Sequence, residues 1–143
     1  MRTKAVIARK MRIPSAEAWA AIRGIGRLDV WFPGITSCRV DGNGVGARRY
    51  MTLDGGGDIT DEVVDIDPAN MRLRYERPES PFPVSFYQGT VEVFESFDFL
   101  AVVVWTVDFE SEPEVAAGVA AALEAAIGAG IAGMDTDLSN ARS

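Results

Sequence analysis

The chain has 143 residues, 48% hydrophobic and 24% charged, with a formal net charge of −7 and a pI near 4.6. This is the length and balance of one domain with a real hydrophobic core, residues 1–143. The acidic balance argues against a nucleic-acid partner, whose phosphates need a basic face, and against an anionic membrane surface.

There is no histidine and a single cysteine, Cys38. That removes the commonest general base, every Ser-His or Cys-His nucleophile pair and any intrachain disulfide, and it speaks against zinc. No metal and no cofactor is expected. A lone cysteine fits a reducing compartment. Met1 to Arg12 alternates apolar and charged residues, so no signal peptide is read there. No uninterrupted apolar run reaches the roughly 18 residues of a membrane span, and membrane insertion is not expected. The expectation is a cytoplasmic protein, and the Ala-, Gly- and Val-rich composition suggests a bacterium of high GC content.

Thr3 to Ile13 alternates as a strand, with Arg9 breaking the pattern. After Pro14 the period changes. Ser15 is a good N-cap, Ala18, Trp19 and Ile22 make a buried stripe, and Gly24 ends a short helix. Arg27 to Phe32 adds a second, stopped by Pro33-Gly34. Strands follow over Ile35–Val40, Ala47–Leu53, Ile59–Ile66, Met71–Arg77, Val84–Glu95 and Phe99–Phe109, separated by turn-forming stretches such as Asp41-Gly42-Asn43-Gly44. Connections of hairpin length make the sheet antiparallel.

Pro113 to about Ala141 is one long helix. Val115, Val119, Leu123, Ile127, Ile131, Met134 and Leu138 fall on one face. Ala and Gly fill most other positions, including Gly118, Gly128, Gly130 and Gly133. Each interior Gly costs about 1 kcal/mol relative to Ala, so these glycines imply either close packing or empty space at the helix surface. Gly128-Ala129-Gly130-Ile131-Ala132-Gly133 matches the dinucleotide fingerprint, but it lies within the helix with no preceding strand.

This order is that of an α+β chain: a curved antiparallel sheet of about seven strands around one long C-terminal helix, with two short helices after the first strand. It resembles the helix-grip fold of the START-like, or SRPBCC, superfamily and its polyketide cyclase/dehydrase and lipid-transport group. The resemblance rests on Pro14 through Trp19, Trp31-Phe32-Pro33, Gly44 through Arg49 with Glu62 and Asp67, Tyr87-Gln88-Gly89-Thr90, and Trp105. It covers nearly the whole chain and implies the fold more firmly than a function.

Strand parity places Arg49 with Met51 and Leu53, Glu62 with Val64 and Ile66, Tyr87 with Val91 and Val93, and Trp105 with Val103 and Val107. Arg49, Glu62, Tyr75, Tyr87 and Trp105 therefore point inward. Arg49 and Glu62 are read as meeting across the Asp54–Asp58 hairpin, either as an ordering ion pair or as the polar floor of a ligand pocket. By the resemblance, positions that align with Arg49, Glu62, Tyr87 and Trp105 line the cavity of the plant abscisic acid receptors. The early strands here offer no lysine placed to bind a carboxylate, so a carboxylate ligand does not carry over. Trp31 either plugs the core or walls the entrance, and Ile131 and Met134 are core, or pocket wall if a cavity exists.

Three functions remain open: binding of a small hydrophobic or amphipathic ligand (lipid-, polyketide- or aromatic-like), a polyketide cyclase/dehydratase using Arg49, Glu62 and Tyr87, or a protein-interaction module with a filled core. Exposed strand edges leave room for a homodimer.

Overall fold

The computed structural model describes residues 1–142. Its elements are β1 (Arg2–Pro14), α1 (Ser15–Arg23), α2 (Leu28–Trp31), β2 (Ile35–Asp41), β3 (Arg48–Leu53), β4 (Asp58–Asp67), β5 (Arg72–Glu79), β6 (Phe86–Glu95), β7 (Leu100–Glu110) and α3 (Pro113–Arg142). The strands form one antiparallel sheet in the order β1-β7-β6-β5-β4-β3-β2, curled around α3. This is the helix-grip arrangement expected from the sequence, with ends shifted by a residue or two.

Alternation decides which face is buried. β7 is the clearest case: Ala101, Val103, Trp105, Val107 and Phe109 are buried and every residue between them is partly exposed. β6 sends Tyr87, Gly89, Val91 and Val93 to the same side. Ser15 does not cap α1. Its hydroxyl donates instead to Glu95 on β6 at 3.2 Å, and Pro14 holds the cap position.

β4 departs from simple alternation. Val63 pairs with Tyr75 and Ile66 with Leu73, so three steps on β4 match two on β5. One residue is extra, and such a bulge reverses the parity on its two sides. Ile59, Asp61 and Val63 are buried, whereas Glu62 is not. Counting back from Ile66 lands on Glu62, which is why that expectation fails.

The helix α3 is held differently along its length. Leu123, Ile127, Ile131 and Met134 are buried against the sheet, each worth about 1.5–3 kcal/mol of apolar burial. Near its C-terminal end, Asp135 accepts from Arg12 and Asp137 from Arg27 and the Trp31 indole, while Arg142 pairs with Glu17. Two glycines make this seat. A Cβ at Gly133 would lie 2.1 Å from the Trp31 carbonyl oxygen, and one at Gly130 would lie 2.4 Å from the Phe32 ring. Gly118, nearer the N-terminal end, faces open space. Both reasons for tolerating glycine therefore occur in one helix.

The expectation that no stretch is long and apolar enough to cross a membrane is corrected: α3 contains an 18-residue window of mean hydropathy 1.8, of which 28% is buried in the fold. The uninterrupted-run criterion missed it because Glu124 breaks a segment otherwise made of Ala, Gly and aliphatic residues.

Gly133→Ala should lower stability by about 2 kcal/mol or more although alanine is the better helix former. Gly118→Ala should raise stability by up to about 1 kcal/mol. Urea unfolding of both variants checks this, and equal effects would refute the division of α3 into a seated and a free half.

Candidate functional site

Arg49 on β3 stands directly across from Asp61 on β4. Its Nε donates to Asp61 Oδ2 at 2.7 Å and its Nη1 to the carbonyl of Ile25 at 3.2 Å. From β5, Arg77 donates through Nε to Asp61 Oδ1 at 2.7 Å and through Nη2 to Oδ2 at 3.2 Å. The three side chains are 5%, 1% and 9% exposed for Arg49, Asp61 and Arg77. Burial alone would push the Asp61 carboxyl up, but Arg77 and Arg49 outweigh it and hold the group below the usual carboxylate range. Desolvation opposes the charge on Arg77, and Asp61 more than restores it.

Aromatic rings enclose these charges. The Arg49 guanidinium lies 4.6 Å from the Tyr75 ring centre, and that of Arg77 lies 4.3 Å from the Tyr87 ring centre. Trp105 Nε1 donates to the Tyr75 hydroxyl at 3.1 Å, and Phe32 meets the Trp105 ring edge-on at 5.6 Å. Tyr75 occupies space that only a glycine opposite it can leave free: a Cβ at Gly89, its cross-strand partner, would be 2.2 Å from the ring. Burial drives the Tyr87 phenol well above its ordinary pKa, with Arg77 opposing, so it remains a neutral donor.

Two apolar spaces adjoin this cluster. An inner cavity of about 120 Å³ is bounded by Tyr75, Arg77, Tyr87 and Trp105 on the sheet side, with Phe32 and Ile127 among its other walls. A larger cleft of about 560 Å³ opens between the N-terminal half of α3 (Val115, Gly118, Val119, Ala122) and the Phe82-Pro83-Val84 loop. Phe82, Tyr87, Leu123 and Ala126 line both, so the spaces are neighbours. Arg77 and Tyr87 also border a polar recess of about 210 Å³ that contains Glu62 and Glu76.

The structure thus brings Tyr75, Tyr87 and Trp105 to the inner cavity, with Arg49 packed behind Tyr75. Glu62 is corrected: it lies on the outer face, 38% exposed, and pairs with Arg48 at 3.2 Å. Trp31 is a plug, its indole nitrogen donating to Asp137 at 2.9 Å. Ile131 and Met134 are 1% and 0% exposed and belong to the packed core under the seated half of α3. Parity alone could have found Arg77, which continues the series Leu73, Tyr75. Asp61 was hidden by the bulge, and the cleft by the small residues that bound it. Among the described residues no group of three or more metal-ligating side chains is assembled.

Asp61→Asn should cost about 3–5 kcal/mol at neutral pH, because it leaves two buried guanidinium groups without a counter-charge. Since the folded pKa of Asp61 is depressed, its contribution is present above the unfolded value near 3.9 and is lost as pH falls through the folded one. The gap between wild type and D61N should therefore narrow on acidification below about pH 4. Glu62→Gln should stay within about 0.5 kcal/mol. Denaturant titrations across pH check all three statements.

Over residues 2–139 the sequence matches the family described as polyketide cyclase / dehydrase and lipid transport. No curated protein matches it in sequence. Among solved structures, an aromatase/cyclase from a Streptomyces species superposes with a TM-score of 0.84 at 16% identity, covering 100% of this chain and 97% of that one. Norcoclaurine synthase from Thalictrum flavum, in complex with a transition-state analogue, gives 0.80 at 15% identity, covering 100% and 98%. A protein from Nitrosospira multiformis gives 0.76 at 23% identity, covering 99% and 100%. Identities this low speak for the fold, and the family match over most of the chain speaks for descent. The sheet wrapped on α3, the aromatic-lined cavity and this match together place the chain in the polyketide cyclase/dehydrase and lipid-transport family of the START-like (SRPBCC) superfamily.

Proposed function

We propose that this protein binds a small apolar or amphipathic molecule, its body in the cleft under the free half of α3 and its polar end toward Tyr75, Arg77, Tyr87 and Trp105. The observation that carries this reading is the pair of adjoining apolar spaces, the inner one bordered also by the polar side chains Tyr75, Arg77, Tyr87 and Trp105. Sites for small ligands combine a concave apolar wall with a few fixed polar groups in this way. The family's description as lipid transport and cyclase supports the same ligand class.

A cyclase or dehydratase activity is the second reading, favoured by the likeness to an aromatase/cyclase. Tyr87 would act as a proton donor and Arg77 would steady a developing enolate. The general base is the weak point of this reading. Asp61 is held as a carboxylate by two arginines and is correspondingly poorly basic, and Glu62 faces outward. Exposed Phe94, Phe97 and Phe99 near the β6–β7 turn favour the interaction-module reading, and the two adjoining apolar spaces weigh against it.

A neutral fluorescent apolar dye such as Nile red should bind with a blue-shifted emission. Gly118→Leu with Ala122→Phe, which fills the cleft from the helix side, should weaken that binding by about tenfold or more while leaving thermal stability near wild type. Unchanged binding in the filled variant would remove the cleft as the site.

A further inference from the structure

Two arginines share one carboxylate. Among the described residues, Asp61 is the sole acidic side chain within ion-pair distance of Arg49 or Arg77. The buried cluster therefore carries one positive charge in excess. A net charge in a low-dielectric interior is unfavourable by several kcal/mol unless something compensates it.

The surrounding groups do not supply that compensation. The rings of Tyr75 and Tyr87 offer cation–π attraction, worth about 0.5–2 kcal/mol each, but no charge. Tyr87 keeps its proton, since burial pushes its phenol far above neutrality. Glu62 and Glu76 share the outer polar recess with Arg77, but Glu62 is paired with Arg48 and neither glutamate is paired with Arg77. One guanidinium nitrogen of Arg49, Nη2, is buried with no hydrogen-bond partner at all. That donor lies behind Tyr75 and does not border the inner cavity, so it marks the imbalance of the cluster and not the place of an acceptor. The surplus also reaches an open surface: Arg77 forms part of the wall of the inner cavity, next to the Tyr87 hydroxyl-bearing ring and Trp105.

We infer that the ligand is a monoanion, an apolar molecule bearing a carboxylate, whose head enters the inner cavity and balances the Arg49–Asp61–Arg77 cluster. This rests on the ligand-binding reading above and narrows it to acids, with Arg77 of β5 holding the head where the early strands offer no lysine. A planar carboxylate matches the fork of a guanidinium, and a neutral Tyr87 hydroxyl can donate to it as well. The apolar body would then extend past Phe82 into the cleft beside Val119 and Ala122. The protein as a whole is acidic, at −7, so its overall field does not draw anions in. Preference for an acid must come from this local excess.

The test uses three probes of one skeleton, naphthoic acid, naphthamide and naphthylmethylamine, titrated calorimetrically at neutral pH into the full chain. The acid should bind about tenfold or more tighter than the amide, as an ion pair replaces a hydrogen bond from the cation to a neutral carbonyl, and the amine should bind weakest. In Arg77→Gln the remaining Arg49–Asp61 pair is neutral, so the acid-to-amide ratio should fall to about one. Equal affinity of acid and amide in the wild type overturns the charge assignment and leaves the ligand-binding reading standing. A preference for acid that survives in R77Q overturns it too. If none of the three probes binds and Nile red does not bind either, the ligand-binding reading falls and this inference falls with it. The wild-type comparison decides the matter even where R77Q fails to fold.

Discussion

Asp61 sits under two guanidinium groups at the place where β3, β4 and β5 run side by side. A carboxylate that is 1% exposed cannot stay ionised without its partners, and guanidinium groups that buried keep their charge without it only at a cost of several kcal/mol. The bulge in β4 is what turns Asp61 inward, and inward orientation is what draws Arg49 and Arg77 off the solvent. Once there, their flat faces need flat neighbours. Tyr75 and Tyr87 provide these, Trp105 fixes the Tyr75 hydroxyl, and Gly89 keeps the floor beneath Tyr75 clear. The polar end of the cavity is thus one connected unit rather than a set of separate side chains.

The apolar end follows from the helix. Along its C-terminal half, glycine lets the backbone of α2 and the ring of Phe32 press against it, and large aliphatic residues fill what remains. Along its N-terminal half the same small residues face Phe82 and Val84 across open space. Composition alone does not separate these outcomes, because Ala and Gly serve both. What differs is the neighbour: a tightly turned helical segment at one end, and a proline-bound loop at the other.

Much of this was legible in the sequence. Alternation gave five of seven strands their faces, β2 showing no alternation and β4 being misread, and the heptad-like spacing from Val115 to Leu138 defined α3 almost to the residue. Arg49, Tyr75, Tyr87 and Trp105 were placed on the inner face by the same rule. The rule failed at Glu62 because a bulge inserts one residue without leaving a mark that periodicity can register. The adjacent Val63 and Val64 are both plausible inward residues, and the backbone decides between them. Trp31, Ile131 and Met134 illustrate a different limit. Their burial was readable, but whether buried residues border a void depends on what packs against them, and that is a property of three dimensions.

Phe82 lies between two prolines and belongs to the walls of both apolar spaces. Pro83 restricts the backbone of the residue before it, and Pro81 fixes its own. The segment is therefore a stiff jamb, and the ring hung on it is the part free to turn. Phe82 is 39% exposed, and side chains with that much freedom change rotamer in picoseconds to nanoseconds. On the ligand-binding proposal, passage between the outer and inner compartments would ask for the swing of one aromatic ring rather than the slower rearrangement of a loop.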